Sequence, residues 1–181
     1  MGATEMSNIG QTQFEYGSGP CPTPGYTTVD VCPHSDIQLA SSEDVFKPVC
    51  ESGFATEILS VHFIEHFVRS DVMRLVKMWY EMLGSGGRLI TGFPDLARMS
   101  DDAIAGRKTL LATSISWFLD HTFGAVMPEA QQELYRHRSF WTAAEFTALL
   151  RGVGFSSVRD VPYSRKLHQN AWTTEIWGVK P

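Results

Sequence analysis

The sequence predicts an open, doubly wound α/β sheet whose strands are mostly parallel. Two observations carry this. Short β-branched or aromatic runs alternate along the chain with longer stretches of helical periodicity. Glycine or proline closes some of the strand-like runs, Gly17 after 13–16 and Pro94 after 88–93, so the backbone turns there. The 181 residues suit a single domain over 1–181, and a hydrophobic content of 43% suffices for a buried core.

Each element has a local reason. The polar residues 1–12 read as a flexible N-terminus. Residues 13–16 are a strand that runs into Gly17-Ser18-Gly19-Pro20. Pro20, Pro22, Pro24 and Gly25 then exclude a regular helix. Residues 26–31 are β-branched and aromatic, hence a second strand, and 36–39 form a short third. Residues 54–61 read as a buried strand. Ser70 is placed to cap the following helix, with Asp71 in its first turn. Val72, Leu75, Val76, Trp79 and Leu83 form one apolar stripe, which makes Trp79 a core residue. Gly84-Ser85-Gly86-Gly87 ends that helix. Residues 88–93 are the next strand, stopped by Pro94. A helical stretch is expected over 101–123, within a helical insertion at 97–140 that would cover the substrate. Thr142 caps a further helix, with Glu145 at the capping-box spacing and Phe146, Leu149 and Leu150 on the apolar face. Gly152 and Gly154 close it. Residues 155–163 and 172–179 are the final strands.

Composition narrows the function classes. The net charge is −5 and no basic block occurs, which argues against general nucleic-acid binding. No apolar run approaches the roughly 20 residues of a membrane helix, and the first residues lack an apolar signal core. Cys21, Cys32 and Cys50 are odd in number and irregular in spacing, which reads as free thiols in a reducing, cytoplasmic setting. A zinc cluster of these three with His34 lacks the close CxxC pairs such sites use.

Chemistry-bearing residues fall at predicted strand ends, where open α/β sheets bind ligands. Glu15-Tyr16-Gly17-Ser18-Gly19 is an acid followed by a glycine pair that lets backbone approach a ligand. Asp30 ends the second strand, where a carboxylate can accept both hydroxyls of a ribose. Ser60-Val61-His62, continuing as Phe63-Ile64-Glu65-His66-Phe67, follows the 54–61 strand, and Gly92-Phe93-Pro94-Asp95 follows the 88–93 strand.

With these residues in order, the chain resembles the class I S-adenosylmethionine-dependent methyltransferases, in particular their compact type-11 group. EYGSG resembles the acidic-x-Gly-x-Gly motif, and TTVDV the second strand with its ribose-binding acid. FATEILSVHFIEHF followed by DVMRLVKMWYEMLGSGGRLITGFPDL is similar to the fourth strand, helix and fifth strand of that group. HTFGAVMP and YRHRSFWTAAEFTALLRGVGF look like its tail. The resemblance implies a Rossmann-like methyltransferase fold of seven strands with an antiparallel last strand, and S-adenosyl-L-methionine as cofactor. It implies that Glu15, Gly17, Ser18, Gly19, Asp30, Ser60 and His62 bind that cofactor, with adenine contacts around residues 39–44. The chain departs from the pattern where Pro20 replaces the third glycine and PCPTPG replaces the first helix. The helix after the first strand is therefore shortened or missing, which implies either weak cofactor affinity or a second copy or partner subunit that completes the site.

Methyl transfer mainly needs the acceptor held in line, and a hydroxyl acceptor benefits from a base. His62 is the candidate catalytic base, because imidazole titrates near neutrality. His66, His137 and Arg138 are candidate acceptor contacts. O-methylation of a small molecule or a sugar or glycan is the first reading, and it calls for no metal. A non-catalytic methyltransferase-like partner subunit would fit the altered loop. His62-Phe63-Ile64-Glu65-His66 also matches the HxxEH zinc-hydrolase signature, which needs both histidines on one helix face. The strand-like run directly before His62 opposes that reading.

Overall fold

The computed structural model describes residues 12–104, 136–163 and 172–181. The strands are Gln13–Tyr16 (β1), Thr27–Asp30 (β2), Ile37–Gln38 (β3), Ala55–Val61 (β4), Leu83–Pro94 (β5), Ser156–Val161 (β6) and Thr173–Val179 (β7). They form one seven-stranded sheet in the order β3-β2-β1-β4-β5-β7-β6. The pairs β1–β2, β1–β4, β2–β3 and β4–β5 are parallel. Only β7 runs against its neighbours, β5 and β6. The sheet is thus mostly parallel with an antiparallel last strand, as expected. No helix separates β1 from β2, because prolines and glycine fill the link.

Helices Arg69–Met82 (α1), Leu96–Ile104 (α2) and Ala143–Val153 (α3) accompany the sheet. The apolar stripe of α1 is buried as its periodicity requires, with Val72, Leu75, Val76 and Trp79 fully inaccessible. The Tyr16 ring lies 5.3 Å from Trp79, and its hydroxyl donates to Met82 Sδ at 3.6 Å. Burial pushes the Tyr16 phenol far above its ordinary pKa. Beside α1, α3 sets Phe146 5.0 Å from Phe93 and 5.6 Å from Trp141. A side chain at Gly178 would meet Phe155 and Leu150 at 3.1–3.2 Å, so glycine lets α3 close on β7. The opposite face carries a polar cluster in which Glu57 accepts from Tyr26 and Arg88, and Arg88 lies 4.8 Å over the Trp177 ring.

Three local expectations are corrected. Val68, not Ser70, is the N-cap of α1, and no side chain caps it; the chain enters the helix two residues earlier, with Arg69 4.5 Å over Trp141. The glycine run does not cap α1. Leu83 already pairs with Ala55, and side chains at Gly84 or Gly87 would strike carbonyl oxygens at 2.8 Å, so these glycines permit a close backbone approach at the start of β5. The 97–140 insertion begins as helix α2, but residues 136–140 are not helical. They lie across the turn after β4, where their backbone hydrogen bonds go. Residues 1–11 and 105–135 lie outside the described residues, and with them most of the expected flexible N-terminus and substrate cover. Among the described residues, no helix is long and apolar enough to cross a membrane.

The capping box of α3 forms as read. Glu145 N–H donates to the Thr142 hydroxyl at 3.1 Å, and Thr142 N–H donates to the Glu145 carboxylate at 3.0 Å. Thr142→Ala should therefore cost about 1 kcal/mol of stability, measured as a lowered urea midpoint at unchanged slope. An unchanged midpoint would show that the cap contributes nothing.

Candidate functional site

The strand order reverses between β1 and β4, which places a topological switch point at their carboxyl ends. Gly17, Asp30, His62 and Asp95 each follow or end a parallel strand at this edge. The amino end of β7 joins them, because Thr173 pairs with Pro94.

At β1 the chain turns through two left-handed glycines, Gly17 at φ +76° and Gly19 at φ +53°. The two serve different needs. A Cβ at Gly17 would lie 2.3 Å from the Phe63 ring, so glycine there admits Phe63 beneath the turn. A Cβ at Gly19 would meet nothing within 4 Å, so its backbone borders open space. Gly17 N–H donates to Val29 carbonyl at 3.0 Å, tying the turn to β2. Ser18 is half-buried between the two glycines.

Two carboxylates hold this loop without a helix. Glu15 is buried and accepts from Thr23 N–H at 2.6 Å and from the Thr23 hydroxyl at 2.8 Å. That pins the PCPTPG link under β1, and both oxygens of Glu15 face the loop. Asp30 accepts Gly19 N–H at 2.8 Å on Oδ2 and Cys32 N–H at 3.2 Å on Oδ1. Each oxygen keeps a lone pair, so two further donors can be accepted. Asp36 anchors the next turn by accepting Thr28 N–H and hydroxyl, both at 2.9 Å, and these bonds hold its pKa below the usual carboxylate range.

The end of β4 carries the densest chemistry. His62 sits at φ +49°, a left-handed conformation uncommon outside glycine, and its N–H donates to Gly92 carbonyl at 2.9 Å. The turn aims the imidazole along the edge. Its Nδ1 lies 3.1 Å from Glu65 Oε1, and its Nε2 lies 3.3 Å from the Thr173 hydroxyl. Glu65 is 3% exposed. Burial alone would raise its pKa, but the hydrogen bond with His62 and the nearby imidazoles of His62, His66 and His137 outweigh this and hold it at about 2. The Glu65 carbonyl accepts Arg138 N–H at 2.7 Å and Ser139 N–H at 3.2 Å. This lays residues 136–139 on the 3-10 helix Ile64–His66, and brings the rings of His66 and His137 to 5.1 Å between centroids.

The expected site residues are therefore sorted by position. Gly17, Ser18, Gly19, Asp30 and His62 share the carboxyl edge, and His66 and His137 meet beside it. Arg138 keeps an exposed side chain. Ser60 is fully buried between Tyr16 and Thr91 in the sheet register, and its hydroxyl has no hydrogen-bond partner among the described residues. Asp95 is taken up by structure, accepting Ala97 N–H at 2.9 Å and Ala143 N–H at 3.4 Å. Glu65 and Thr173 as partners of His62 were not foreseen. The i, i+3 spacing of His62 and Glu65 was a signal for the first; nothing in the sequence marks the second.

The zinc-hydrolase reading of HFIEH fails on geometry. His62 lies in a left-handed turn before a single 3-10 turn, so His62 and His66 do not share a helix face. Cys21, Cys32 and Cys50 are free, and among the described residues no metal-holding group includes them or His34. Burial pushes the Cys50 thiol up to about 11.

No family model matches the chain, and no curated protein does. Solved structures do. The chain is similar to an S-adenosylmethionine-dependent methyltransferase of Archaeoglobus fulgidus, with TM-score 0.63 and 10% identity over 94% of this chain and 86% of that one. It is similar to the methyltransferase SibL, with TM-score 0.59 and 16% identity over 94% of this chain and 50% of SibL. Human N-acetylserotonin methyltransferase, solved with S-adenosylmethionine, gives TM-score 0.54 and 14% identity over 93% of this chain and 47% of the human one. The chain thus has the fold of S-adenosylmethionine-dependent methyltransferases, and spans about half the length of two of these three.

The two glycines should respond differently to alanine. Gly19→Ala should cost about 1–2 kcal/mol, from left-handed backbone strain alone. Gly17→Ala adds the collision with Phe63, about 1–3 kcal/mol more. Urea unfolding of both variants would show the order; a Gly19→Ala loss larger than that of Gly17→Ala would contradict the packing described.

Proposed function

We propose that the chain binds S-adenosylmethionine at the carboxyl edge of the sheet and methylates a hydroxyl of a small molecule or glycan. The observation that carries this is Asp30 at the end of β2, joined to the open glycine turn by the 2.8 Å bond from Gly19 N–H. The residues fit the cofactor. Space lies where a Gly19 side chain would be, and Asp30 retains acceptor capacity for a ribose diol. Gly17, Ser18 and Gly19 would border the methionine part. Glu15 would act through Thr23, holding the loop in place. Ser60, fully buried, would support this edge from below.

When bound, S-adenosylmethionine supplies a methyl group already activated by its sulfonium. The chain's own task is then to orient the acceptor and take its proton. His62 is the proposed base. Glu65 fixes the ring through Nδ1, while the acceptor hydroxyl would share Nε2 with Thr173. Arg138 would meet the acceptor from the exposed side, next to His66 and His137. Free thiols suit a reducing, cytoplasmic setting.

A second reading, a methyltransferase-like subunit without activity, is favoured by the link between β1 and β2. With no helix between β1 and β2, no helix N-terminus stands behind the glycine turn. A second copy or a partner chain completing the edge would reconcile both readings.

Calorimetry separates them. S-adenosylhomocysteine should bind with a dissociation constant on the order of 1 μM to 1 mM. Asp30→Ala should weaken binding by about 1.5–3 kcal/mol while the fold survives. No binding of either cofactor form by folded protein at millimolar concentration would favour the inactive subunit. With an acceptor in hand, His62→Ala should lower methyl transfer by about 10²–10⁴-fold and change cofactor binding much less. A full rate in that variant would remove His62 as the base.

A further inference from the structure

The sequence reading called for no metal, but beside His62 the fold assembles a group to which the methyl-transfer scheme gives no joint role. Glu65, His66 and His137 each offer a ligand atom, and these atoms all lie within 4.8 Å of one another. Two come from the 3-10 turn after β4. The third comes from residues 136–139, which the Glu65 carbonyl holds in place. Glu65 and His137 are 3% and 7% exposed, so the group is set into the protein rather than spread on its surface.

A separate observation points to a ligand. Glu65 Oε1 faces His62, whereas the buried Oε2 has no hydrogen-bond partner among the described residues. A buried carboxylate oxygen without a donor calls for a cation or a proton, and two imidazoles stand beside it. We propose that Glu65 Oε2, His66 and His137 bind one divalent first-row transition ion, of which Zn²⁺ is the probe. Two imidazoles and one carboxylate suit such ions and leave positions open for water or an acceptor oxygen. Donors about 2.0–2.2 Å from one ion lie about 3–3.5 Å apart, so side-chain rotations on the order of 1 Å close the site. His62 would hold the carboxylate from behind, as hydrogen-bond partners of metal-bound groups do. This site differs from the HxxEH arrangement, because His62 supports a ligand instead of being one. It does not rest on the methyl-transfer reading.

Calorimetry on the metal-stripped full chain with zinc chloride, without cofactor or acceptor, tests this. Expected is one zinc per chain, not displaced by excess magnesium chloride. X-ray absorption of the loaded wild-type chain should show a nitrogen and oxygen shell without sulfur. Glu65→Gln and His137→Ala should each weaken zinc by at least about 10–100-fold, whereas His34→Ala, at an exposed position, should not change it. Three results would overturn the proposal: no stoichiometric zinc on folded wild-type protein, sulfur in the shell, or full affinity in His137→Ala. The wild-type absorption spectrum decides the matter even where a variant fails to fold.

Discussion

The buried carboxyl group of Glu65 is the constraint on which the His62 side of the carboxyl edge depends. A charged group at 3% exposure persists only if neighbours replace its water. Here His62 supplies Nδ1 to Oε1, and the backbone carbonyl of Glu65 accepts the N–H groups of Arg138 and Ser139. The bonds of Glu65, through Oε1 and its backbone carbonyl, and of His62 therefore join three pieces distant in sequence: the left-handed end of β4, the residues before α3, and Thr173 at the start of β7. Arg69 secures the same junction from outside, donating to Phe140 carbonyl at 2.6 Å and to Glu145 at 3.0 Å. Few alternative arrangements meet all of these bonds at once, which is how a polar network specifies one geometry.

The other half of the edge solves a different problem. A dinucleotide-type site ordinarily relies on a helix N-terminus behind its glycine turn. This chain has a proline-rich link in that place, so its loop needs other anchors. Glu15 and Asp30 provide them by accepting backbone N–H groups of Thr23, Gly19 and Cys32. Acceptors fixed by strands thus replace the helix as the source of rigidity. They do not replace its positive end, so the proposed cofactor affinity extends to the millimolar range.

Legibility in the sequence followed the range of the interactions. The strand at 54–61, the stripe from Val72 to Trp79 and the Thr142–Glu145 box are local patterns, and each appears where its period or spacing put it. Asp30 was legible because it ends a strand directly after a glycine turn. The misread features are those decided by tertiary contact. Ser70 looks like a cap, but Arg69 is drawn onto Trp141 and starts the helix earlier. Gly84 and Gly87 look like a helix stop, but serve the close approach of β5 to Gly53 and Ala55. The convergence of Glu65, His66 and His137 joins positions about 70 residues apart in sequence, which no local pattern encodes.

A crystal structure of the chain grown with S-adenosylhomocysteine tests the central claim most directly. The account predicts the ribose hydroxyls on the Asp30 carboxylate and the amino-acid part of the ligand along Gly17 to Gly19, with the sulfur facing His62. Ligand seated elsewhere on the sheet, or an Asp30 carboxylate that touches only Gly19 and Cys32 while ligand is bound, would contradict it.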